Sequence, residues 1–343
     1  MISARVTGLA LQGFRRFQEP AQFNFVGPDG APPNTLVIAG PNGSGKTSVF
    51  EAILYALGQE EIVHRELRKD DRERWFQNAL ATDASVQVTL DVTSASGTIL
   101  GTLAPGGIEV MRSRKEWTIR AGQERKTVTD DIDVVRSVVV DVGVQWFSSW
   151  RQPYLCGPVK PMADVTGLAS GEALRLREVK QRIIDERART AFRTGPGRDE
   201  NWLQRLEEAW KLLRGEAGER FAIGPSGPEN DATHFDVFIQ RSIPGLGDDL
   251  VCSIDQLSSG ELEWLILIGT LITTEFAGIV LIDEPELHLH PEWQARLLPA
   301  LRSVMPDSQF VLATHADPPW DQVYSFERLL LVPPGDPRYK RPQ

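Results

Sequence analysis

Residues 36–53, LVIAGPNGSGKTSVFEAI, run from an apolar segment through a glycine-rich turn into a helical pattern. Within this stretch, residues 40–47 fit the spacing G-x-x-x-x-G-K-[ST]. In that motif, called a P-loop, the N–H groups of the loop and of the following helix surround phosphate groups. Apolar residues recur at helical spacing after the turn, as the motif requires. The stretch therefore predicts a strand, a loop and a helix that bind a nucleoside triphosphate.

The individual residues of this loop have separate predicted tasks. Lys46 is expected to place its charge on the outer phosphates, and the Thr47 hydroxyl is expected to coordinate Mg²⁺. A glycine-rich turn without a ligand is the alternative. The residues predicted to bind the nucleotide here are Gly40, Pro41, Asn42, Gly43, Ser44, Gly45, Lys46, Thr47 and Ser48.

A second motif, AGIVLIDEPELHLHPEWQ at residues 277–294, places carboxylates after an apolar run. Residues 279–282 are predicted to form a buried strand, with Asp283 at its end as a ligand of Mg²⁺. Glu284 follows, in a position to polarise the attacking water as a general base. An Asp-Glu pair is common by itself. In a chain that also has a P-loop, it indicates nucleotide hydrolysis.

A third motif, FVLATHADPP at residues 310–319, predicts another strand, which ends at Thr314. His315 would then lie at the carboxyl edge of a parallel sheet, which is where ligands bind in this class of sheet. A histidine in an ordinary surface loop is the alternative.

A fourth motif, IDQLSSGELEWLIL at residues 254–267, places Ser258, Gly260 and Glu261 at the start of an amphipathic helix. The N-terminus of a helix suits a phosphate group, because its N–H groups and its dipole favour negative charge. A capping box between Ser258 and Glu261 would explain the same residues, and both interpretations can hold at once.

The metal shell needs a further ligand, for which the sequence offers two glutamines. Gln145 follows VVRSVVVDV at residues 134–142, which is predicted to be a buried strand. Gln145 is the first candidate for the Mg²⁺ shell and Gln152 is the second. A plain loop glutamine remains the alternative.

In their order along the chain, the motifs resemble those of the ABC-type ATPases, and together they are highly specific. The resemblance covers about residues 1–332 and rests on the P-loop, on LSSGE at 257–261, on IDEPE at 282–286 and on His315. It implies an α/β P-loop NTPase fold of ABC type, a mixed sheet with an antiparallel N-terminal β lobe and a short helical insertion. It also implies the ligands ATP and Mg²⁺.

The resemblance further implies a head-to-tail dimer that buries ATP between the P-loop of one copy and the LSSGE segment of the other. Carried over by position, Ser258 and Gly260 would contact the γ-phosphate in trans. Glu284 would be the catalytic base, and His315 would sense the γ-phosphate.

Within the ABC-type ATPases, the chain is similar to the SMC, RecF and OLD-like group. LALQGFRRFQEPAQFNF at residues 9–25 looks like the strands that open that group, and DEPELHLHPEWQ is similar to bacterial defence ATPases of the OLD-like kind. Ser258 follows Lys46 by 212 positions, which leaves no room for a long coiled coil. No nuclease domain is expected after residue 332.

The predicted organisation has four parts. Residues 1–150 form an N-terminal ATPase lobe, 151–222 a helical insertion, 223–332 a C-terminal ATPase lobe, and 333–343 a flexible tail. The insertion carries many basic residues between 175 and 193, for which a solvated face is favoured over a DNA-binding one.

Composition excludes several classes of protein. The net charge of −10 argues against a protein that coats nucleic acid, although a local basic groove remains possible. The two cysteines are far apart in the sequence, which argues against a disulfide framework. The sequence has neither a signal-peptide pattern nor an apolar run of membrane length, which predicts a cytoplasmic protein. His288 and His290 could suggest a metal site, but a loop after the catalytic glutamate is favoured.

Three functions remain open at this point. The first is the ATPase subunit of a bacterial anti-phage defence system, which gates a separately encoded effector such as a nuclease. The second is a RecF-like DNA-repair ATPase that clamps duplex DNA. The third, disfavoured by the N-terminal pattern, is the energising subunit of a transporter.

Overall fold

The computed structural model describes residues 3–66, 80–94, 106–113, 116–121, 124–129, 143–149, 171–192, 200–214, 219–226, 234–243, 245, 247–273 and 278–332. The chain forms two compact units. The first comprises Met1–Ser149, Ala277–Glu286 and Asp307–Gln343, and the second comprises Trp150–Phe276 and Leu287–Pro306. The segment 223–332 therefore divides between both units, whereas the sequence places it in one lobe.

The first unit contains a six-stranded antiparallel sheet. Its strands are β1 (Ser3–Phe14), β2 (Ala21–Asn24), β4 (Leu80–Ser94), β5 (Gly106–Ser113), β6 (Glu116–Ala121) and β7 (Glu124–Thr129), in the spatial order β2-β1-β4-β5-β6-β7. Along β4, Val86, Val88 and Leu90 are buried and the residues between them are partly exposed. This alternation is typical of a sheet with one face on the core, and it confirms the predicted antiparallel strands.

The second sheet of this unit is parallel and has five strands. They are β3 (Thr35–Ala39), β8 (Val144–Phe147), β12 (Ile279–Asp283), β13 (Gln309–Thr314) and β14 (Arg328–Leu330), in the order β14-β3-β13-β12-β8. Every residue of β12 and β13 is buried, as expected of central strands in a parallel sheet. The predicted strands before Asp283 and His315 are confirmed, and both residues lie at the same edge of this sheet.

Helices α1 (Lys46–Ala56) and α2 (Glu60–Glu66) also belong to the first unit, as does a short helix at Asp317–Asp321. Val49, Ile53 and Leu54 of α1 are buried in the core of this unit. The loop between β3 and α1 is thus held at both ends by buried elements.

The second unit combines helices with a three-stranded antiparallel sheet. Its elements are α3 (Gly171–Phe192), α4 (Glu200–Arg214), β9 (Glu219–Pro225), β10 (Phe235–Ile243), β11 (Gly247–Ser253), a 3₁₀ turn at Ile254–Gln256, α5 (Ser259–Thr273) and α6 (Pro291–Val304). Ala222 and Ile223 pair with Phe238 and Val237 of β10, which extends β9 as far as Pro225.

Two tryptophans of α4 lie in the core of the second unit. Trp202 and Trp210 are buried, and Trp210 packs edge-on against Phe221 and Trp264, with ring centroids 5.6 and 6.3 Å apart. These rings therefore stabilise the interior of the unit.

Two of the basic residues of α3, Lys180 and Arg187, do not lie on a solvated face, contrary to the sequence-based expectation for this helix. Lys180 is fully buried. Arg187 donates to Glu207 of α4 and to the carbonyl of Phe221. A run of basic residues on a helix looks the same in sequence whether its charges meet water or buried carboxylates. No helix in the described part of the chain is long and apolar enough to cross a membrane.

Candidate functional site

A cavity of about 310 Å³ lies between the P-loop and the end of β12. Both walls belong to the first unit. Its lining consists of Arg16, Asn42, Gly43, Gly45, Lys46, Thr47, Ser48, Asp283 and Glu284. The sequence predicted all of these residues except Arg16 as site residues, and the structure brings them together.

Two glycines shape the loop through the space that they leave. A Cβ atom at Gly40 would lie 2.2 Å from the carbonyl oxygen of Leu331, so no other residue fits there. Gly45 has φ of 103° and would place a Cβ atom 3.0 Å from the ring of Phe17. The N–H of Ser44 donates to the carbonyl of Pro41 at 3.1 Å, which closes the turn. The loop therefore adopts the curl that the phosphate-binding motif requires.

Lys46, the first residue of α1, is held inside this loop. Its side chain is buried, and Nζ donates to the carbonyl oxygens of Gly40 at 2.7 Å and Pro41 at 3.2 Å. A buried ammonium group needs acceptors, and phosphate oxygens are stronger ones than carbonyls. The lysine is thus positioned to bind an anion in the cavity.

Thr47 and Asp283 form a pair of oxygen donors suited to Mg²⁺. Thr47 Oγ1 donates to Asp283 Oδ2 at 2.6 Å, and the Asp283 carboxylate is almost fully buried. A hydroxyl and a carboxylate are hard oxygen ligands of the kind that Mg²⁺ prefers, and this ion usually takes only one or two protein ligands beside phosphate and water. The residues present fit the ion.

Glu284 follows the last residue of β12 in an unusual backbone conformation. Its φ is 49°, which a residue with a side chain rarely adopts, and its N–H donates to the carbonyl of Ala313 at 2.7 Å. Positive φ at a residue other than glycine costs free energy and often occurs at functional sites. The turn places Glu284 on the cavity wall beside Asp283.

His315 and Glu284 are neighbours across the sheet edge. His315 Nδ1 lies 3.7 Å from Glu284 Oε1, and the imidazole is about half exposed. The predicted base and the predicted sensor therefore meet, although the motifs that carry them are 31 positions apart in the sequence.

Glu286 is a site residue to which the sequence analysis gave no role. Its Oε1 accepts hydrogen bonds from Thr314 Oγ1 at 2.7 Å and from the N–H of His315 at 3.1 Å. The same oxygen lies 3.6 Å from His315 Nδ1. Glu286 thus fixes the backbone at His315 and lies beside its ring. The third acidic residue of IDEPE was the signal in the sequence that could have indicated this role.

We expect Glu286→Ala to lower kcat for ATP hydrolysis by about tenfold or more, because two donors near His315 lose their acceptor. The KM for ATP should change little, since the P-loop is untouched. Steady-state kinetics measures both. Glu286→Gln keeps an acceptor oxygen and should retain most activity, and equal losses in the two variants would contradict a positioning role for this side chain.

Arg16 was also missed, although it lies in the quoted GFRRF pattern. Its neighbour Arg15 has φ of 47°, and Arg15 Nε lies 2.6 Å from Oε2 of the buried Glu51 on α1. Phe17 packs against Gly45 on the other side. These two contacts attach the turn after β1 to the P-loop and place the exposed Arg16 at the cavity as a second cation.

Gln145 does not reach the cavity. It lies within β8, where it pairs with Val280 of β12, three residues before Asp283. At about 3.3 Å per residue, its Cα is some 10 Å short of the sheet edge along the strand. The structure therefore does not place Gln145 beside Thr47 and Asp283. Gln152 and the predicted strand at residues 134–142 lie outside the described residues.

The LSSGE segment belongs to the second unit and begins α5. Ser258 is exposed, its N–H and Oγ both donate to Glu261 Oε2 at 2.8 Å, and the N–H of Glu261 lies 3.4 Å from Ser258 Oγ. The capping box is confirmed. The Glu261 carboxylate also accepts from Arg214, the last residue of α4. Glu261 is therefore engaged within the chain, while Ser258 faces outward.

Arg214 also donates to Glu219 at 3.3 Å, which links α4 to β9. Burial raises the pKa of Glu219, but hydrogen bonds from Arg241 and Trp210 and the charge of Arg214 together bring the pKa below its usual value. The carboxylate is consequently ionised at neutral pH and keeps Arg214 oriented toward the segment.

Gly260 has a role inside the chain that the sequence did not indicate. It is buried, and a Cβ atom on it would lie 2.4 Å from the carbonyl oxygen of His288. His288 itself has φ of 61°. The glycine lets the loop after Glu284 approach the start of α5, so the requirement for glycine here follows from packing.

His290 is accounted for by helix capping. It is the N-cap of α6, where Nδ1 accepts from the N–H of Glu292 at 3.5 Å. Within the described residues no group of three metal-ligating side chains occurs. The interpretation of His288 and His290 as parts of a loop is thus consistent with the geometry.

Comparison with known protein families gives two matches. A family described as "AAA domain" matches residues 9–138, and one described as "AAA domain, putative AbiEii toxin, Type IV TA system" matches residues 220–317. The first contains the P-loop and the second contains the LSSGE segment and Glu284.

Among curated proteins, short segments match a Septu protein and a probable ATPase of a retron. The "Septu protein PtuA" of Bacillus thuringiensis is 38% identical over 48 residues, 14% of this chain and 12% of that protein. The "Retron Ec83 probable ATPase" of Escherichia coli is 41% identical over 76 residues, 19% of this chain and 14% of that protein. The matched segments therefore span only about an eighth of these relatives.

Among solved structures, the SMC head domain with an extended coiled coil from Pyrococcus furiosus, bound to the C-terminal domain of ScpA, superposes with a TM-score of 0.53. The sequences are 15% identical, and the match covers 93% of this chain and 92% of that one. This likeness shows the fold, and it confirms the predicted α/β P-loop architecture of ABC type.

Proposed function

We propose, from the premise that this chain is an ABC-type ATPase of the SMC and RecF-like group, that two copies close on ATP and thereby switch a partner protein. The observation that carries the proposal is the cavity in which Lys46, the Thr47–Asp283 pair and Glu284 meet. These are the groups needed to bind a triphosphate and to attack it with water.

In the proposed reaction, the loop N–H groups and Lys46 bind the phosphates, and Arg16 adds positive charge at the cavity mouth. Thr47 and Asp283 would hold Mg²⁺, which neutralises charge on the β- and γ-phosphates when bound. Glu284 accepts a proton from the attacking water as the oxygen bonds to the γ-phosphorus. The bond from the γ-phosphorus to the bridging oxygen breaks, and ADP and phosphate leave.

The proposed dimer supplies what one copy of the cavity lacks. Ser258 is exposed at the N-terminus of a 15-residue helix, with its hydroxyl already oriented by Glu261. A helix N-terminus suits a phosphate of a second copy, and the Ser258 hydroxyl would turn its one hydrogen from Glu261 to that phosphate on closure. Closure with ATP and reopening after hydrolysis would give two states, and a partner that binds one of them better would be switched.

For the partner, the proposal is a separately encoded effector, such as a nuclease, in an anti-phage defence system. The local likeness to Septu and retron ATPases supports this choice. A RecF-like clamp on duplex DNA is less well supported, because Lys180 and Arg187 of the basic helix α3 pair with carboxylates inside the unit. The nucleic-acid alternative would need a basic surface elsewhere.

We expect Ser258→Arg to prevent ATP-driven dimerisation, since a long cation would replace the hydroxyl at the closing surface. The dimer dissociation constant should rise at least about a hundredfold, while ATP binding to the monomer stays within about twofold of the parent. Light scattering with and without ATP measures the mass in solution. Ser303→Arg, at an exposed position of α6, is the matched control. Dimerisation that survives Ser258→Arg would contradict the trans contact.

A further inference from the structure

The feature that the proposed function leaves unused is a buried ionic cluster in the second unit. Lys180 of α3 is 0% exposed. Its Nζ lies 2.8 Å from Asp236 Oδ1 and 2.7 Å from Asp255 Oδ2. Asp236 is the second residue of β10, and Asp255 is the middle residue of the 3₁₀ turn. One ammonium group therefore joins a helix, a strand and a turn.

The turn that Lys180 holds leads directly into the LSSGE segment. Asp255 precedes Ser258 by only three positions. Ser253 Oγ donates to Asp236 Oδ2 at 2.9 Å and accepts from the N–H of Asp255 at 3.3 Å. The N–H of Ser253 donates to Gln256 Oε1 at 3.0 Å. Hydrogen bonds of both side chains and backbone therefore fix residues 253–256, just before Ser258.

The helix that carries Lys180 is itself firmly attached to α5. A Cβ atom on Gly269 would lie 2.8 Å from the Cγ atoms of Val179, so the two helices approach closely at this point. Leu176, Ile183 and Ile184 of α3 are also buried. A close-packed interior transmits a displacement rather than absorbing it, so a shift of α3 would displace Lys180 and the turn with it.

A buried ionic cluster of this kind contributes little net free energy to folding. Removing charges from water costs free energy that the ion pairs only partly return, and apolar replacements of buried ion pairs are often neutral or stabilising. Directional contacts from a charged donor, in contrast, restrict where a bound segment can lie. Such a restriction is useful where a serine must meet a phosphate of another molecule.

We propose that Lys180 is a positioning residue that fixes the 3₁₀ turn and thereby the place of Ser258 for its contact with the second copy's ATP. This inference rests on the proposed function. It assigns to the helical insertion a direct influence on dimer closure, through contacts that do not touch the nucleotide.

The test compares Lys180→Met, Asp255→Asn and the charge-free triple variant Lys180→Met/Asp236→Asn/Asp255→Asn. Hydrogen–deuterium exchange of residues 254–262 should accelerate at least about tenfold in each, because the ion pair between residue 180 and the turn is lost. Exchange of the P-loop and ATP binding to the monomer should not change. The ATP-dependent dimer should weaken by a similar factor. Lys211→Met, on the exposed side of α4, is the control.

The triple variant separates positioning from stability. It should regain the thermal stability that Lys180→Met loses, but not the dimerisation or the protection of residues 254–262. Recovery of dimerisation together with stability would overturn the proposal, as would unchanged exchange in Asp255→Asn. If the parent protein shows no ATP-dependent dimer, the proposed function fails, and the exchange data still decide whether Lys180 fixes the turn.

Discussion

The Glu284→Gln variant should bind ATP with the affinity of the parent and remain dimeric long after the parent has turned over. Glutamine has the shape of glutamate but cannot accept the proton of the attacking water. Loss of a general base typically lowers the rate about 100- to 10,000-fold, and we expect kcat to fall by a factor in that range. Single-turnover hydrolysis and light scattering on the same sample measure the two effects together.

The geometry makes this variant more informative than a truncation. Glu284 occupies a left-handed backbone conformation, and its carboxylate is 3.7 Å from His315. Glutamine preserves the size of the side chain, whereas alanine would also remove its packing on the cavity wall. The control is Glu292→Gln on the exposed first turn of α6. Parental turnover in Glu284→Gln would assign the base to another residue.

The dissociation constant for ATP should rise at least about a hundredfold in Lys46→Ala, since hydrogen bonds to a charged group contribute about 1.5–3 kcal/mol each. The effect should appear in the affinity of the monomer and, through it, in every later step. Calorimetric titration with a non-hydrolysable analogue measures it directly, before any dimer forms.

Lys46 also has a structural contact that needs a second variant. Its Nζ donates to the carbonyls of Gly40 and Pro41, so removal of the charge also removes bonds within the loop. Lys46→Met removes the same two bonds but keeps the buried aliphatic part. It should lose affinity to a similar degree, with a smaller fall in melting temperature than Lys46→Ala. Lys211→Ala is the control for a lysine at an exposed position. Unchanged affinity in both Lys46 variants would defeat the assignment of this loop.

The local motifs of this chain were predictable because each is encoded in neighbouring residues. The P-loop requires glycines, a lysine and a threonine at fixed spacing between a strand and a helix, and all of these lie within residues 36–53. The position of Asp283 followed from the short apolar run before it, which predicts a buried strand. The capping box followed from a serine and a glutamate three positions apart.

Contacts between distant parts of the chain could not be predicted in this way. Glu286 reaches His315 because β12 and β13 are neighbours in the sheet, and nothing in either motif states that distance. Gln145 shows the reverse case. Its residue type and its place in the sequence suit a metal ligand, but it pairs with Val280 in the sheet, three residues before Asp283.

The sequence by itself determined the nucleotide-binding loop, the acidic strand end and the kind of fold, because local spacing and hydrophobic period specify them. Only the tertiary structure decided that Gly260 accommodates the carbonyl of His288 and that Lys180 is buried between two aspartates. The physical reason is that burial and pairing of a charge depend on what the remote chain brings to it, and a helix with many basic residues carries no record of that partner.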